Sequence, residues 1–283
     1  LLTGTLMYPN PTTYRPNHPI THRSMDYSAI RLHDMYVFVL LFARVSGLMV
    51  AAPILGNRSI PRPVKAGLAL IFALAILPMT APKVGAIPDH LYQLAGQVLG
   101  DVIFGLSLGY LARLLFAAIE MAGYFVDTQM GFGMINLYDP FAEQQTSVLS
   151  VFQYQLALTV YLLSNGHLLL LGALADSYNV LLPGGVSLHA GFGMTAVPML
   201  QLMFALGFRL ALPAAGVLFV VDFAFGLIAR LVPQVNVFIV GIPAKIIIGL
   251  ATVTILLPSL SLIVGQIIMG TTEALNALIL SAK

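Results

Sequence analysis

An all-α integral membrane protein is the fold class the sequence predicts, and three observations predict it. The chain of 283 residues is 59% hydrophobic and only 8% charged, whereas soluble domains carry roughly a quarter charged residues. Its apolar residues come in runs long enough to cross a bilayer as helices, about 20 residues each. Two of those runs meet at Gly226 to Leu250, GLIARLVPQVNVFIVGIPAKIIIGL, where Pro233 and Pro243 disfavour continuous helix and predict a sharp reversal. A backbone turn inside lipid needs protein or a wet cavity around it, because unsatisfied peptide groups in hydrocarbon are costly. The stretch therefore reads as a helical hairpin whose polar bend, with Arg230, Gln234, Asn236, Gly241 and Lys245, meets a partner.

Composition also excludes. A net charge of +2, with no Lys/Arg-rich run to track phosphates, implies no nucleic acid partner. Without cysteine there is neither a disulfide framework nor a thiolate metal site. Tyrosine, in the absence of tryptophan, is the main candidate for anchoring at the membrane surface.

Residues 1–34 contain Pro9, Pro11, Pro16 and Pro19 and no apolar core of signal-peptide length, so little fixed structure is expected there. The residues before Met25 read equally as translated upstream sequence, a cloning remnant or a genuine extension. From Met35 to Leu55 runs MYVFVLLFARVSGLMVAAPIL, a spanning helix with one charge, Arg44. A lone central arginine in lipid costs roughly 2.5–3.5 kcal/mol, so Arg44 is expected to face protein, snorkel, or meet a carboxylate. The next turn carries Arg58, Arg62 and Lys65, which favours the cytoplasmic side. Val64 to Pro82 is a second apolar run, read as interrupted by Pro78.

Leu91 to Asp127 has a helical pattern of about 55 Å, longer than the roughly 30 Å hydrocarbon core. Arg113, Glu120 and Asp127 recur along it at intervals of seven, each about 20° from the last, and so form one polar stripe. Two readings stand: ion-paired packing against neighbouring helices, or the lining of a conduit. After it comes TQMGFGMINLYDPFAEQQTS. Gly131 and Gly133 free the backbone, and Met130, Phe132 and Met134 supply deformable apolar bulk. This loop, near 128–140, reads as a soft plug or as a contact with a neighbouring subunit. The run Glu143 to Thr146 is expected to cap the following helix.

Val148 to Leu171 is apolar and interrupted at Asn165, Gly166 and His167. No second ligand stands at metal spacing from His167, so it reads as a satisfied structural histidine. The segment ADSYNVLLPGGVSLHAGFG carries no Lys or Arg and is placed opposite the Arg58 turn. Thr195 to Arg230 and Val237 to Ala282 form the arms of the hairpin, bent at Pro213 and Pro258. No nucleotide-binding glycine loop, nucleophile elbow or metal-ligand cluster is present in the sequence. Enzymatic function and cofactors are therefore not expected; a proton-coupled carrier using the carboxylates stays open.

Three stretches carry a resemblance: RVSGLMVAAPILGNRSIPRPVKAGLAL at 44–70, DPFAEQQTSVLS at 139–150, and ARLVPQVNVFIVGIPAKIIIGL at 229–250. In the last, the order is Arg, then Pro-Gln-x-Asn-Val, then Gly-x-Pro-x-Lys. With the hydrophobic layout of residues 30–280, these resemble the FliR family of flagellar type III export-gate proteins. Injectisome homologues of virulence secretion share the Arg, Pro-Gln-x-Asn and Pro-x-Lys elements, while Gly241 looks more flagellar. The resemblance implies a single-copy subunit with five FliP and four FliQ subunits, wrapped by FlhB, in the bacterial inner membrane at the flagellar basal body. It implies passage of unfolded flagellar proteins, and a FliP-like part (35–190) fused to a FliQ-like C-terminal hairpin (191–283). It further implies that not every apolar helix crosses the bilayer, and that the loop from Gln129 to Leu137 helps close the conduit.

Overall fold

A computed structural model describes residues 27–57, 59–132, 147–186, 196–232, 234 and 236–281. Within them lie seven α-helices: α1 Tyr27–Ala51, α2 Arg62–Thr80, α3 Leu91–Met130, α4 Val148–Leu163, α5 Gly166–Val180, α6 Ala196–Leu231 and α7 Val237–Ser281. Among the described residues there is no strand, and a short 3-10 turn, Ala81–Lys83, follows α2. Five of the helices are long and apolar enough to cross a membrane, or six if the bent pair α4 and α5 is one span.

α1 begins eight residues earlier than the composition suggests. YSAIRLHD at 27–34 contains neither proline nor glycine, so nothing stops the helix from extending back from its apolar run. The expected unstructured segment is thereby corrected over residues 27–34, and residues 1–26 lie outside the described residues. α2 is likewise not interrupted at Pro78. That proline sits in the last turn and the helix continues to Thr80, whose Oγ1 donates to the Ile76 carbonyl at 3.1 Å. Pro63 falls in its first turn, where a missing N–H costs no hydrogen bond.

α3, 40 residues long, is the central mast. α1, α4, α6 and α7 pack on it, α2 lies outside against α1, and α5 rests on α7. α1 and α3 run parallel, with backbones in near contact. A methyl group at Gly105 would overlap the Arg44 carbonyl, one at Gly47 would stand 2.5 Å from the Val102 carbonyl oxygen, and one at Gly109 2.7 Å from the Ala52 nitrogen. Only glycine permits that approach. The turn after α1 and the segment after α5 lie at opposite ends of α1, since Gly184 neighbours Tyr36 and Leu40 whereas Gly109 neighbours Ala52.

α3 ends at Gly131, whose φ of 91° suits glycine and whose N–H returns to the Asp127 and Thr128 carbonyls, a common helix stop. α4 is capped by the Ser147 hydroxyl, which accepts from the Ser150 N–H at 3.1 Å; the expected capping run, 143–146, lies outside the described residues. The interruption expected near Asn165 is a bend of 65° between α4 and α5, with Asn165 at φ 56° and the Tyr161 hydroxyl donating to the Gly166 carbonyl at 2.7 Å.

α6 and α7 form the predicted hairpin. α6 runs parallel to α3, Gly207 lying against Ala118 and Met121, and α7 returns with Gly249 against Met130. Beyond Leu218 no residue of α6 is buried, and between Ile239 and Ile248 of α7 only Gly241 is. The far end of the hairpin thus stands clear of the other helices.

Candidate functional site

Three groups of charged side chains among the described residues are each built differently. The first is inside. Arg44, fully buried in the second half of α1, donates from Nε to Asp101 Oδ1 of α3 at 2.8 Å. Its Nη1 reaches the Leu181 carbonyl at 3.0 Å and the Ser177 hydroxyl at 3.2 Å, and its Nη2 the Leu182 carbonyl at 3.4 Å. The guanidinium lies between the rings of Tyr178, 4.6 Å away, and Phe104, 4.9 Å away. Asp101 spends its second oxygen on the Gly184 N–H at 2.8 Å, available because Gly184 adopts φ 78°. Buried charges persist when paired and hydrogen-bonded, and here the arginine found the carboxylate that its isolation demanded. Asp101 was not singled out from sequence, although as a carboxylate in the apolar first half of α3 it was the matching signal.

The second place is the hairpin. Asn236 caps α7, its side-chain oxygen accepting from the Ile239 N–H at 3.4 Å, while Arg230, Gln234 and Asn236 are exposed. Pro233 lies outside the described residues. Pro243 does not bracket the bend: it sits inside α7, exposed, with Gly241 buried two residues before it. α6 runs to Leu231 and helix resumes at Val237, where Asn236 supplies the cap. Gly241, Pro243 and Lys245 therefore belong to the helix rather than the turn. Lys245 Nζ pairs with Asp222 Oδ1 of α6 at 2.6 Å, joining the two arms below the tip. Asp222, nine residues after Pro213, carries no sequence motif that marks it as the partner.

The third place is α3 itself. Arg113 and Glu120 are exposed on one face, but Asp127 has turned into the protein and is only 6% exposed. The stripe of three is thus corrected to two, because the 20° drift per heptad moves Asp127 toward the seam with α4. Its Oδ1 there has no hydrogen-bond partner among the described residues, nor has Gln153 Oε1 of α4. Neither Arg113 nor Glu120 forms an ion pair with a described residue. His167 is part-buried with Nδ1 unpartnered, so the expectation of a satisfied histidine is corrected at that atom.

Of the expected plug residues, Met130 ends α3, fully buried, with its side chain against Gly249 of α7. Gly131 caps the helix, and Phe132 is partly buried against the core. Gly133 and Met134 lie outside the described residues.

Comparison with known proteins adds a separate line. Residues 35–271 match the family described as bacterial export proteins, family 1. The flagellar biosynthetic protein FliR of Bacillus subtilis is 31% identical over 246 residues, 86% of this chain and 94% of that protein. FliR of Escherichia coli is 34% identical over 226 residues, 80% of this chain and 85% of that protein. The secretion system apparatus protein SsaT of Salmonella typhimurium is 32% identical over 171 residues, 59% of this chain and 65% of that protein.

Proposed function

The chain belongs to the bacterial export proteins, family 1, and from that membership we propose that it is a FliR-type structural subunit of the flagellar type III protein export gate. The observation that carries this is the length of the flagellar match, 86% of this chain against 94% of the Bacillus subtilis protein. The virulence-secretion relatives match less of the chain, 59% for SsaT and 75%, at 28% identity, for the Yop proteins translocation protein T of Yersinia pestis, which favours the flagellar reading.

In this reading the chain joins five FliP and four FliQ subunits, with FlhB around them, in the inner membrane at the basal body. The assembly conducts unfolded flagellar proteins. The shape of the chain supports an assembled role: 22% of the most apolar windows of α6 and of α7 is buried, against 61% for α3. Apolar surface on that scale marks a lipid or protein contact. The exposed tip with Arg230, Gln234 and Asn236 is positioned to dock on neighbouring subunits, with Lys245 set by Asp222 beneath it. Phe132, Gly133 and Met134, following the anchored Met130, are assigned to the plug that closes the conduit, and Gly131 to the pivot.

Native mass spectrometry of the chain co-expressed with its neighbouring membrane genes tests this. One copy in a complex with five and four small hydrophobic partners is the expected result. A stable monomer or homodimer in the presence of folded partners would overturn it, and substrate uptake by the chain alone in liposomes would favour a proton-coupled carrier instead. Shortening the loop after Phe132 is expected to raise ion leakage through the assembled gate; unchanged leakage with intact assembly removes the plug assignment.

A further inference from the structure

α3 presents an outer face that is exposed among the described residues. Tyr110, Arg113, Glu120, Tyr124 and Thr128 are all exposed. At 3.6 residues per turn they fall within an arc of about 80° and extend about 27 Å along the helix. The tyrosines are 56% and 58% exposed, and between the two charges the stripe holds only the half-buried Ala117. No described residue forms an ion pair with Arg113 or Glu120.

What surrounds the stripe decides what it can face. Phe125 lies beside it and touches Phe208 of α6, which stacks on Phe204, and all three are exposed. On the α4 side Val148, Val151 and Phe152 are exposed as well. Lipid suits these apolar flanks, but not an arginine and a glutamate that feel each other's charge without a contact ion pair, each costly in hydrocarbon. Water suits the charges but not a continuous apolar border of this kind. A protein surface satisfies both, and tyrosine, phenylalanine and arginine are the residues enriched at the cores of such contacts.

We propose that this face of α3 is an interface for one helix of another subunit of the gate. That helix carries an acidic residue facing Arg113 and a basic residue facing Glu120, two turns apart, with aliphatic or aromatic positions against Phe125 and Phe208. Opposite charges at a heptad interval fix both register and direction of a packed helix, so the stripe sets where the neighbour sits as well as which neighbour fits. The inference rests on the export-gate reading, and deepens it by naming the surface and the charge pattern of its occupant.

Because the chain has no cysteine, each of Tyr110→Cys, Arg113→Cys, Glu120→Cys and Tyr124→Cys introduces a single thiol. Labelling with a charged, water-soluble maleimide is compared between membranes holding the chain alone and membranes holding it with its co-expressed neighbours. Loss of labelling at all four positions on assembly is the expected result. If the complex forms and the thiols still react from water, the stripe lines an aqueous lumen and the proposal falls while the gate reading stands. If in the complex they react only with an apolar, lipid-soluble maleimide, the stripe faces lipid and the proposal falls likewise. A chain that never co-purifies with its neighbours takes down the gate reading first. Glu120→Arg supplies a second readout: co-purification is expected to be lost with the thermal stability of the isolated chain unchanged, and retained co-purification would overturn the proposal.

Discussion

Arg44 and Lys245 are both basic residues in the middle of apolar sequence and both meet an aspartate, yet the two pairs are built to opposite ends. Arg44 and Asp101 are fully buried and their remaining groups are taken up by Ser177, Leu181, Leu182 and Gly184. Lys245 and Asp222 are 19% and 43% exposed, on a part of the hairpin where few residues are buried. The first pair is finished inside the chain and ties α1, α3 and the segment after α5 into one body. The second is finished only between two arms and leaves capacity for a neighbour. A charge in an apolar helix thus has two meanings, folding or assembly, and its shell separates them.

The largest effect should come from breaking the inner pair. Removing one partner of a buried ion pair typically costs about 3–5 kcal/mol, because the other charge is left uncompensated. Arg44→Ala or Asp101→Ala is therefore expected to abolish folded yield in detergent. The apolar pair Arg44→Met with Asp101→Leu is expected to recover much of it, since buried ion pairs replaced as a unit are often neutral. Full stability of Asp101→Ala in a thermal melt would show that Arg44 is held by its carbonyl contacts alone.

Next in size is the glycine crossing that brings the pair together. Gly105→Ala would force its methyl group into the Arg44 carbonyl, and overpacking of this kind costs about 1–3 kcal/mol. The measurement is the same melt, and a neutral result would mean that α1 and α3 separate freely. Ser147→Ala, which deletes the cap of α4, is expected to cost about 1 kcal/mol and serves as a scale for a purely local loss.

The smallest effect on the isolated chain is expected at the outer pair. Asp222→Asn or Lys245→Met should change its stability by no more than about 1 kcal/mol, as exposed pairs do, but should reduce incorporation into the complex measured by co-purification. A large loss of stability in the isolated chain would place this pair in the same class as the inner one.

Some of this was legible in the sequence because it depends on one helix at a time. The length of α3, the arms of the hairpin and the break at Asn165 follow from apolar runs and their punctuation, and the local rules for helix and turn act within a few residues. The isolation of Arg44 announced that a partner was needed, and the ordered polar residues of 229–250 carried the family resemblance.

The partners themselves were decided by tertiary structure. Arg44 lies 57 residues from Asp101 and 137 from Leu181, separations across which no periodicity speaks. Whether Pro243 ended a helix or lay inside one depended on the cap that Asn236 provides. The stripe read from spacing lost Asp127 to the interior because a heptad drift of about 20° is small on one helix, but large where α4 packs closely against it. Sequence determines which side chains share a face, whereas burial and pairing depend on how close the next backbone comes. In this chain the closest of those approaches is set by glycines at the crossing of α1 and α3.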